Sequence, residues 1–267
     1  MAIPPVTLSL ANEIEDFRLV AHKVDSPTWP TDLKPLRIGV LSDLHHGSHG
    51  TGDEKLVQAV ARLNAEKPDL VVLLGDYIAG GLFSKRQPIE NTVRILREIT
   101  APKGVMTILG NHDWWFDGEA VRRAFLNQDI PVLENSSLTI EHDGARICIA
   151  GVADLITRRP NIEEATNNAR PGEPIVLLTH HPDVFPTVPG NIALTLAGHT
   201  HGGQVDLPIA GRAVVPSRYG NRYAYGHVIE GDRHLVVSGG IGTSIVPFRF
   251  NTPPEGNVIT LGGKFRL

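Results

Sequence analysis

The stretch VMTILGNHD, residues 105–113, decides how the chain reads. Val105 to Leu109 are apolar apart from Thr107, the pattern of a strand buried on both faces. Directly behind them stand Gly110, Asn111, His112 and Asp113, then Trp114 and Trp115. A turn accounts for one Asn or Asp. It does not account for an amide, an imidazole and a carboxylate in succession.

The same arrangement recurs along the chain. LRIGVLSD (36–43) ends in Asp43, with His45 two residues on. DLVVLLGD (69–76) ends in Asp76, PIVLLTHH (174–181) delivers His180, and IALTLAGHTH (192–201) delivers His199 and His201. The segments LGD, LGNHD and AGHTHGG carry glycine at the turn, where the backbone must bend sharply or a ligand approach closely. In open α/β sheets, ligands gather where the carboxyl ends of the strands meet. Five strand ends each supplying Asp, Asn or His exceed what folding alone requires.

Helical patterns separate these runs. Leu56, Val57, Val60 and Leu63 share a face within 52–68, which stops at Pro68. Ile89, Val93, Leu96 and Ile99 do so within 88–100, and a third helix is predicted over 117–129 with Asp117 as its N-cap. Alternation of strand and helix implies right-handed crossovers. Ahead of them, 17–24 alternates as a strand and 25–35, with three prolines, reads as a loop. Past residue 131 the helices thin out. SLTIEHDGARICIAGV is a hairpin turning at Asp143-Gly144, and YAYGHVIE, RHLVVSGG and GNVITL are short strands. No low-complexity tract or linker divides the chain, so a single domain over 1–267 is expected, built as two packed mixed sheets flanked by helices.

The composition is that of a soluble globular protein, with 41% apolar and 20% charged residues among 267. The net charge of −4 argues against a nonspecific nucleic-acid binder. The single cysteine, Cys148, excludes an internal disulfide and reads as a core residue. MAIPPVTLSLANEIEDF shows no signal-peptide pattern, and no run of about 18 apolar residues occurs. A cytoplasmic location is expected, with peripheral membrane contact left open; the oligomeric state is not readable.

The ligand set of carboxylate, amide and imidazole, without thiolate, suits two first-row ions such as Mn²⁺, Fe or Zn²⁺. Asp76 is a candidate bridge. Two such ions clamp a phosphoryl group and generate a hydroxide nucleophile for attack on phosphorus. His112 then faces the substrate as acid or charge stabiliser, and Asp113 is expected to orient it. His46 and His181 sit beside ligands and should point elsewhere. His22, His142, His227 and His234 read as surface or core.

The ordered set Asp43-Leu44-His45, Gly75-Asp76, Gly110-Asn111-His112-Asp113, His180-His181-Pro182 and Gly198-His199-Thr200-His201 resembles the calcineurin-like metallophosphoesterase family. The resemblance spans residues 43 to 201. It implies a four-layer α-β-β-α sandwich and a binuclear centre. One metal would be held by Asp43, His45, Asp76 and His201, the other by Asp76, Asn111, His180 and His199. The tail, with GGQVDLP and GGIGTSIVPFRFNTPPE, resembles the bacterial phosphodiesterase branch that includes YkuE and YaeI, which implies a small-molecule or lipid-linked phosphoester substrate.

Two other functions are weaker readings. A nuclease is disfavoured by the charge, and a scaffold that has lost catalysis by the intact motif residues. His49, Trp115, Arg218 and Arg222 are candidates for substrate contact, and Trp115 with Tyr77 for an apolar ester arm. The motif loops hold no Lys or Arg. Diesters are therefore expected to be cleaved at least as well as monoesters, unless Arg218 or Arg222 reaches in from 212–226.

Overall fold

The computed structural model describes residues 17–80, 84–208, 211–212, 214–244 and 246–263. The reading of the first seventeen residues as lacking a signal peptide lies, but for Phe17, outside them. The strands are β1 (Arg18–Asp25), β2 (Leu36–Leu41), β3 (Leu70–Leu73), β4 (Val105–Thr107), β5 (Ser136–His142), β6 (Ala145–Gly151), β7 (Ile175–Leu178), β8 (Leu194–Ala197), β9 (Asp206–Leu207), β10 (Gly211–Arg212), β11 (Gly226–Glu230), β12 (Arg233–Val237) and β13 (Glu255–Gly262). The helices are α1 (Asp53–Ala65), α2 (Ile89–Leu96), α3 (Asn111–Leu126) and α4 (Ile162–Thr166).

Two large sheets form. One runs β1-β13-β2-β3-β4 and the other β11-β12-β8-β7-β6-β5, while β9 and β10 pair separately. Within them β2, β3 and β4 are parallel, as are β12, β8, β7 and β6. The buried alternation of period two explains why the runs look continuously apolar. Ile38, Val40, Leu70 and Val72 meet Ile149, Val176, Leu178 and Leu196 between the sheets. Their neighbours Leu41, Val71 and Leu73 pack on Leu56, Val60, Leu63 and Val93 of α1 and α2. On the far face, Cys148, Ile175, Leu177 and Val237 are covered by Ala165, Phe185 and Tyr223. That layer is thin: α4 has five residues, helped by 3₁₀ turns at Pro182–Thr187 and Gly220–Tyr223. The expected four-layer sandwich of two mixed sheets is the observed one.

Among the described residues no helix is long and apolar enough to cross a membrane. The hairpin turns where expected, Asp143 and Gly144 both at positive φ. Val57, assigned to the buried face of α1, is 53% exposed. The third helix begins six residues early. Asn111 to Phe116 are helical, Asp117 breaks the helix at φ −166 and ψ 82, and its carboxylate then accepts the Ala120 N–H at 3.0 Å. Asp117 does cap a helix, but a further helical turn precedes it, because GNHD starts a helix instead of ending a strand.

Leu196 is fully buried between the sheets. Leu196→Ala should cost about 2–5 kcal/mol by denaturant titration; a loss under about 1 kcal/mol would show that the intersheet layer can collapse around the gap.

Candidate metal centre

β2, β3 and β4 of one sheet and β7 and β8 of the other end at the same edge of the sandwich. Asp43 and His45 follow β2, Asp76 follows β3, Asn111 and His112 follow β4, His180 follows β7, and His199 and His201 follow β8. Two triads result, Asp43–His45–His201 and Asp76–His180–His199, each with ligand atoms within 4.8 Å of one another and all six residues buried. A third set, His45–Asp76–His112, overlaps them. Asp76 Oδ2 stands 3.6 Å from His45 Nε2 and 3.3 Å from His180 Nε2, so it reaches both triads.

The backbone is bent to make this possible. Asp43, His45, Asp76, His199 and His201 all have positive φ, five of the eleven such non-glycine residues described. Each costs on the order of 1–3 kcal/mol, sustained only where the surroundings over-determine it. Glycine provides the clearance: a Cβ on Gly110 would sit 2.2 Å from Asp76 Oδ1, and one on Gly198 2.5 Å from Asp43 Oδ2.

The donor chemistry fits metal ions. His45 Nδ1 faces the Ile78 carbonyl at 3.2 Å and His180 Nδ1 the Leu74 carbonyl at 2.7 Å. A carbonyl only accepts, so Nδ1 carries hydrogen and Nε2 is turned to the centre. Asn111 is buried, and its Oδ1 has no hydrogen-bond partner among the described residues. An orphaned buried oxygen lining the same cavity as Asp76 is what a hard cation satisfies.

The electrostatics agree. Burial pushes the Asp43 carboxyl up to about 6, against the pull of His180. Burial acts the same way on Asp76, yet His180, His45 and His112 hold it well below the carboxylate range. Burial would depress His180, but Asp76 and Asp43 hold it well above the imidazole range. Burial lowers His45 to about 4 and pulls His199 and His201 well below the ordinary value. Two carboxylates and four imidazoles, all buried, thus compete for positive charge at one point.

A profile of calcineurin-like phosphoesterases matches residues 36–203. The chain belongs to the calcineurin-like phosphoesterase family. It is similar to the uncharacterized metallophosphoesterase YkuE of Bacillus subtilis, 33% identical over 243 residues that cover 90% of this chain and 84% of YkuE. The phosphodiesterase YaeI of Escherichia coli is 28% identical, covering 92% and 88%. The UDP-2,3-diacylglucosamine pyrophosphatase LpxG of Chlamydia trachomatis is 26% identical, covering 78% and 77%. Among solved structures, the NAD nucleotidase NadN of Haemophilus influenzae aligns with a TM-score of 0.51 at 15% identity, over 78% of this chain and 45% of NadN, a likeness of fold. Together with the triads, family membership makes this the active site of a binuclear metal-dependent phosphoesterase.

Several sequence expectations need correction. Asp113 does not orient His112. Its two oxygens accept the backbone N–H groups of Gly110, Asp76 and Tyr77 at 2.9 Å each, and that of Ile78 at 3.4 Å. Burial and the Asp76 charge push its carboxyl up to about 7, and the amide donors oppose this. Asp113 therefore ties the loop after β3 to the loop after β4. Tyr77 is fully buried, bonded through its hydroxyl to the Thr107 side chain and the Ile108 carbonyl, so it cannot meet a substrate. Arg222 turns away to Glu230, and His49 is exposed and outside the described cavity lining. His46 points away from the centre to Thr92 and Asp53, whereas His181 packs against the ligand candidate His199 in a tilted pair with centroids 4.0 Å apart.

Arg249 escaped the sequence reading. It is fully buried behind His201, with Nη2 at 3.2 Å from His201 Nδ1, and it donates to the carbonyls of Gly239, Gly242 and Thr252. Burial draws it down to about 10, still a cation. Its only signal was an arginine inside the apolar stretch IVPFRF.

Asp113→Asn should lower metal content along with activity, because an amide presents one acceptor oxygen where two are used; stability should fall by about 1–3 kcal/mol. Full metal content with a slow rate would return Asp113 to the role of partner to His112.

Proposed function

We propose that the protein hydrolyses phosphodiesters that carry an apolar arm. The observation that carries this reading is the cavity of about 910 Å³ that opens from the centre. Asp76, Asn111, His112, His199 and His201 form its floor, and Trp115, Ile156, Val214 and Val246 are among its walls. Trp115, Ile156 and Val214 are 62%, 47% and 61% exposed, so three large apolar side chains face solvent around one opening. Exposed apolar groups gathered at one place mark a binding surface.

The cavity has little spare positive charge. Arg218 is the one Lys or Arg among its described lining residues. Its Nε stands 3.6 Å from Asp183 Oδ2, and Asp183 also accepts the Arg218 N–H and the Ser217 hydroxyl. The pair is unequal: the Asp183 side chain is 2% exposed and that of Arg218 71%. Most of the Arg218 charge is thereby offset. A dianionic monoester finds no dedicated cation, whereas a monoanionic diester needs none. This also speaks against nucleic acid, which requires repeated phosphate contacts. The name of LpxG describes a pyrophosphatase of a diacylated sugar nucleotide, and a lipid-linked or small apolar phosphoester reached at a membrane surface suits the rim described here.

Asp43, His45, Asp76 and His201 would hold one metal ion, and Asp76, Asn111, His180 and His199 the other. When bound, the ions supply Lewis acidity, neutralising phosphoryl oxygens and acidifying water. The protein's own part is to position and to move a proton. His112 is half-buried at the cavity floor, its ring 4.9 Å from that of Trp115 and its Nε2 3.5 Å from Ser244 Oγ. The Asp76 carboxylate accepts the His112 backbone N–H at 2.9 Å and fixes where that residue stands. His112 Nε2–H then gives its proton to the departing ester oxygen.

His112→Ala should keep its metal and lose about 10²–10⁴ in rate on alkyl esters, with a smaller loss on p-nitrophenyl esters. Equal losses for good and poor leaving groups would remove the proton-donor role.

Diester kcat/KM should equal or exceed monoester kcat/KM at matched leaving groups and one metal. Asp183→Asn, by exposing the Arg218 charge, should shift the ratio toward monoesters, and Arg218→Ala in that background should undo the shift. A wild-type preference for monoesters of tenfold or more would refute the reading.

A further inference from the structure

Three histidines outside the two triads lie together at one side of the sandwich. His22 is on β1, an edge strand of one sheet; His227 is on β11, an edge strand of the other; His234 is on β12 beside it. All three face the space between the sheets. His22 is two residues from Val24 and His234 two from Val236, both in the intersheet core, and His227 is directly opposite Val236 in the ladder. Asn257 of β13, two residues before Ile259, joins them on that face, with its Nδ2 3.4 Å from His22 Nε2.

His227 Nε2 and His234 Nδ1 are 3.0 Å apart. In this pair one nitrogen donates a hydrogen and the other accepts it. The spacing is also the bite of two imidazoles on one cation: with bonds of about 2.0–2.1 Å it subtends roughly a right angle. The His22 ring meets that of His227 edge-on at 6.5 Å between centroids, so it stands beside the pair and has to turn toward it to become a third ligand. Asn257 is fully buried and its Oδ1 has no hydrogen-bond partner among the described residues. It cannot be relieved by flipping the amide, because Nδ2 donates to Glu255 Oε1 at 3.0 Å. An orphaned oxygen on a residue whose amide nitrogen already meets an imidazole is an unexplained expense in an apolar layer.

We propose that His22, His227 and His234, with Asn257 alongside, form a second, structural site for a borderline divalent cation of the Zn²⁺ class, clipping the edges of the two sheets together. Imidazole nitrogens suit such ions. Binding replaces the one hydrogen shared by His227 and His234. That hydrogen passes to the outer nitrogen of its own ring, so no proton is lost. Burial keeps all three rings below the ordinary imidazole range, His227 at about 4, and leaves their lone pairs available at neutral pH. The charges that act on the cluster are acidic: Glu255 toward His22, and Asp25 and Asp232 toward His234.

The test uses the full chain, stripped with chelator and dialysed against Mn²⁺ and then Zn²⁺, with total metal counted by mass spectrometry. Three ions per chain are expected for the wild type and two for His227→Gln, with phosphoesterase activity unchanged in the variant. Equal counts in the two proteins overturn the site. The thermal midpoint of the wild type, its Mn²⁺ centre already filled, should rise by about 2–4 °C or more on adding Zn²⁺, and the rise should vanish in His22→Gln. No rise, or one that survives both substitutions, overturns it as well.

Discussion

The carboxylate of Asp113 is the point on which the metal centre is hung. Gly110 and Asp76 belong to loops that leave two neighbouring parallel strands, and neither loop has a ladder partner for its amides there. Asp113 accepts from both at once, and from Tyr77. Buried carboxylates are costly unless hydrogen-bonded. Here the cost is offset by donors that would otherwise be orphaned, the Gly110 N–H at the start of α3 and those of Asp76 and Tyr77 in the loop after β3. The result is that Asp76, which reaches both triads, is fixed by the sheet and not by the ions. The positive φ angles of five ligand candidates follow from the same requirement. Each chain must turn back within two or three residues of its strand to aim a side chain at a common point.

The segment between β12 and β13 completes the arrangement through Arg249, a cation with no carboxylate at ion-pair distance among the described residues. It lies behind His201 and holds the carbonyls of the 239–242 loop. Its carbonyl partners satisfy the guanidinium without cancelling its charge, so the wall behind the centre is stiff and positive. The open side is apolar. A phosphoester would thus meet polarity at depth and hydrocarbon at the rim, which sorts an amphipathic molecule by orientation before any bond is broken.

Much of this was legible in the sequence, because strand ends and ligand types are local properties. Each of the five apolar runs contributes a strand, and the residues behind them converge as the α/β rule demands. What failed was inference from adjacency. Asp113 follows His112, but on a helix neighbours project about 100° apart, and Asp113 turns back to the sheet. Tyr77 follows Asp76 and was credited with the same exposure, yet alternation sends it into the core. Arg222 and Arg218 are four residues apart, and the 3₁₀ turn Gly220–Tyr223 that contains Arg222 sends it outward while Arg218 faces the cavity. Arg249 meets His201 across 48 residues and His22 meets His227 and Asn257 across 205 and 235, separations that no local pattern encodes.

The place of β13 has a consequence for how the chain is made. β13 lies between β1 and β2, paired in parallel with one and antiparallel with the other. Among the described residues β1 therefore has no sheet neighbour until residues 255–262 have left the ribosome. Until then, β2, β3 and β4 present a bare edge, and the half-built sheet must be kept from pairing with another chain. Closure is a late, long-range event, and it also brings in Asn257 and fixes the loop that carries Arg249. Ligand candidates that end at His201 are thus held in place by residues made after them, Arg249 behind His201 among them.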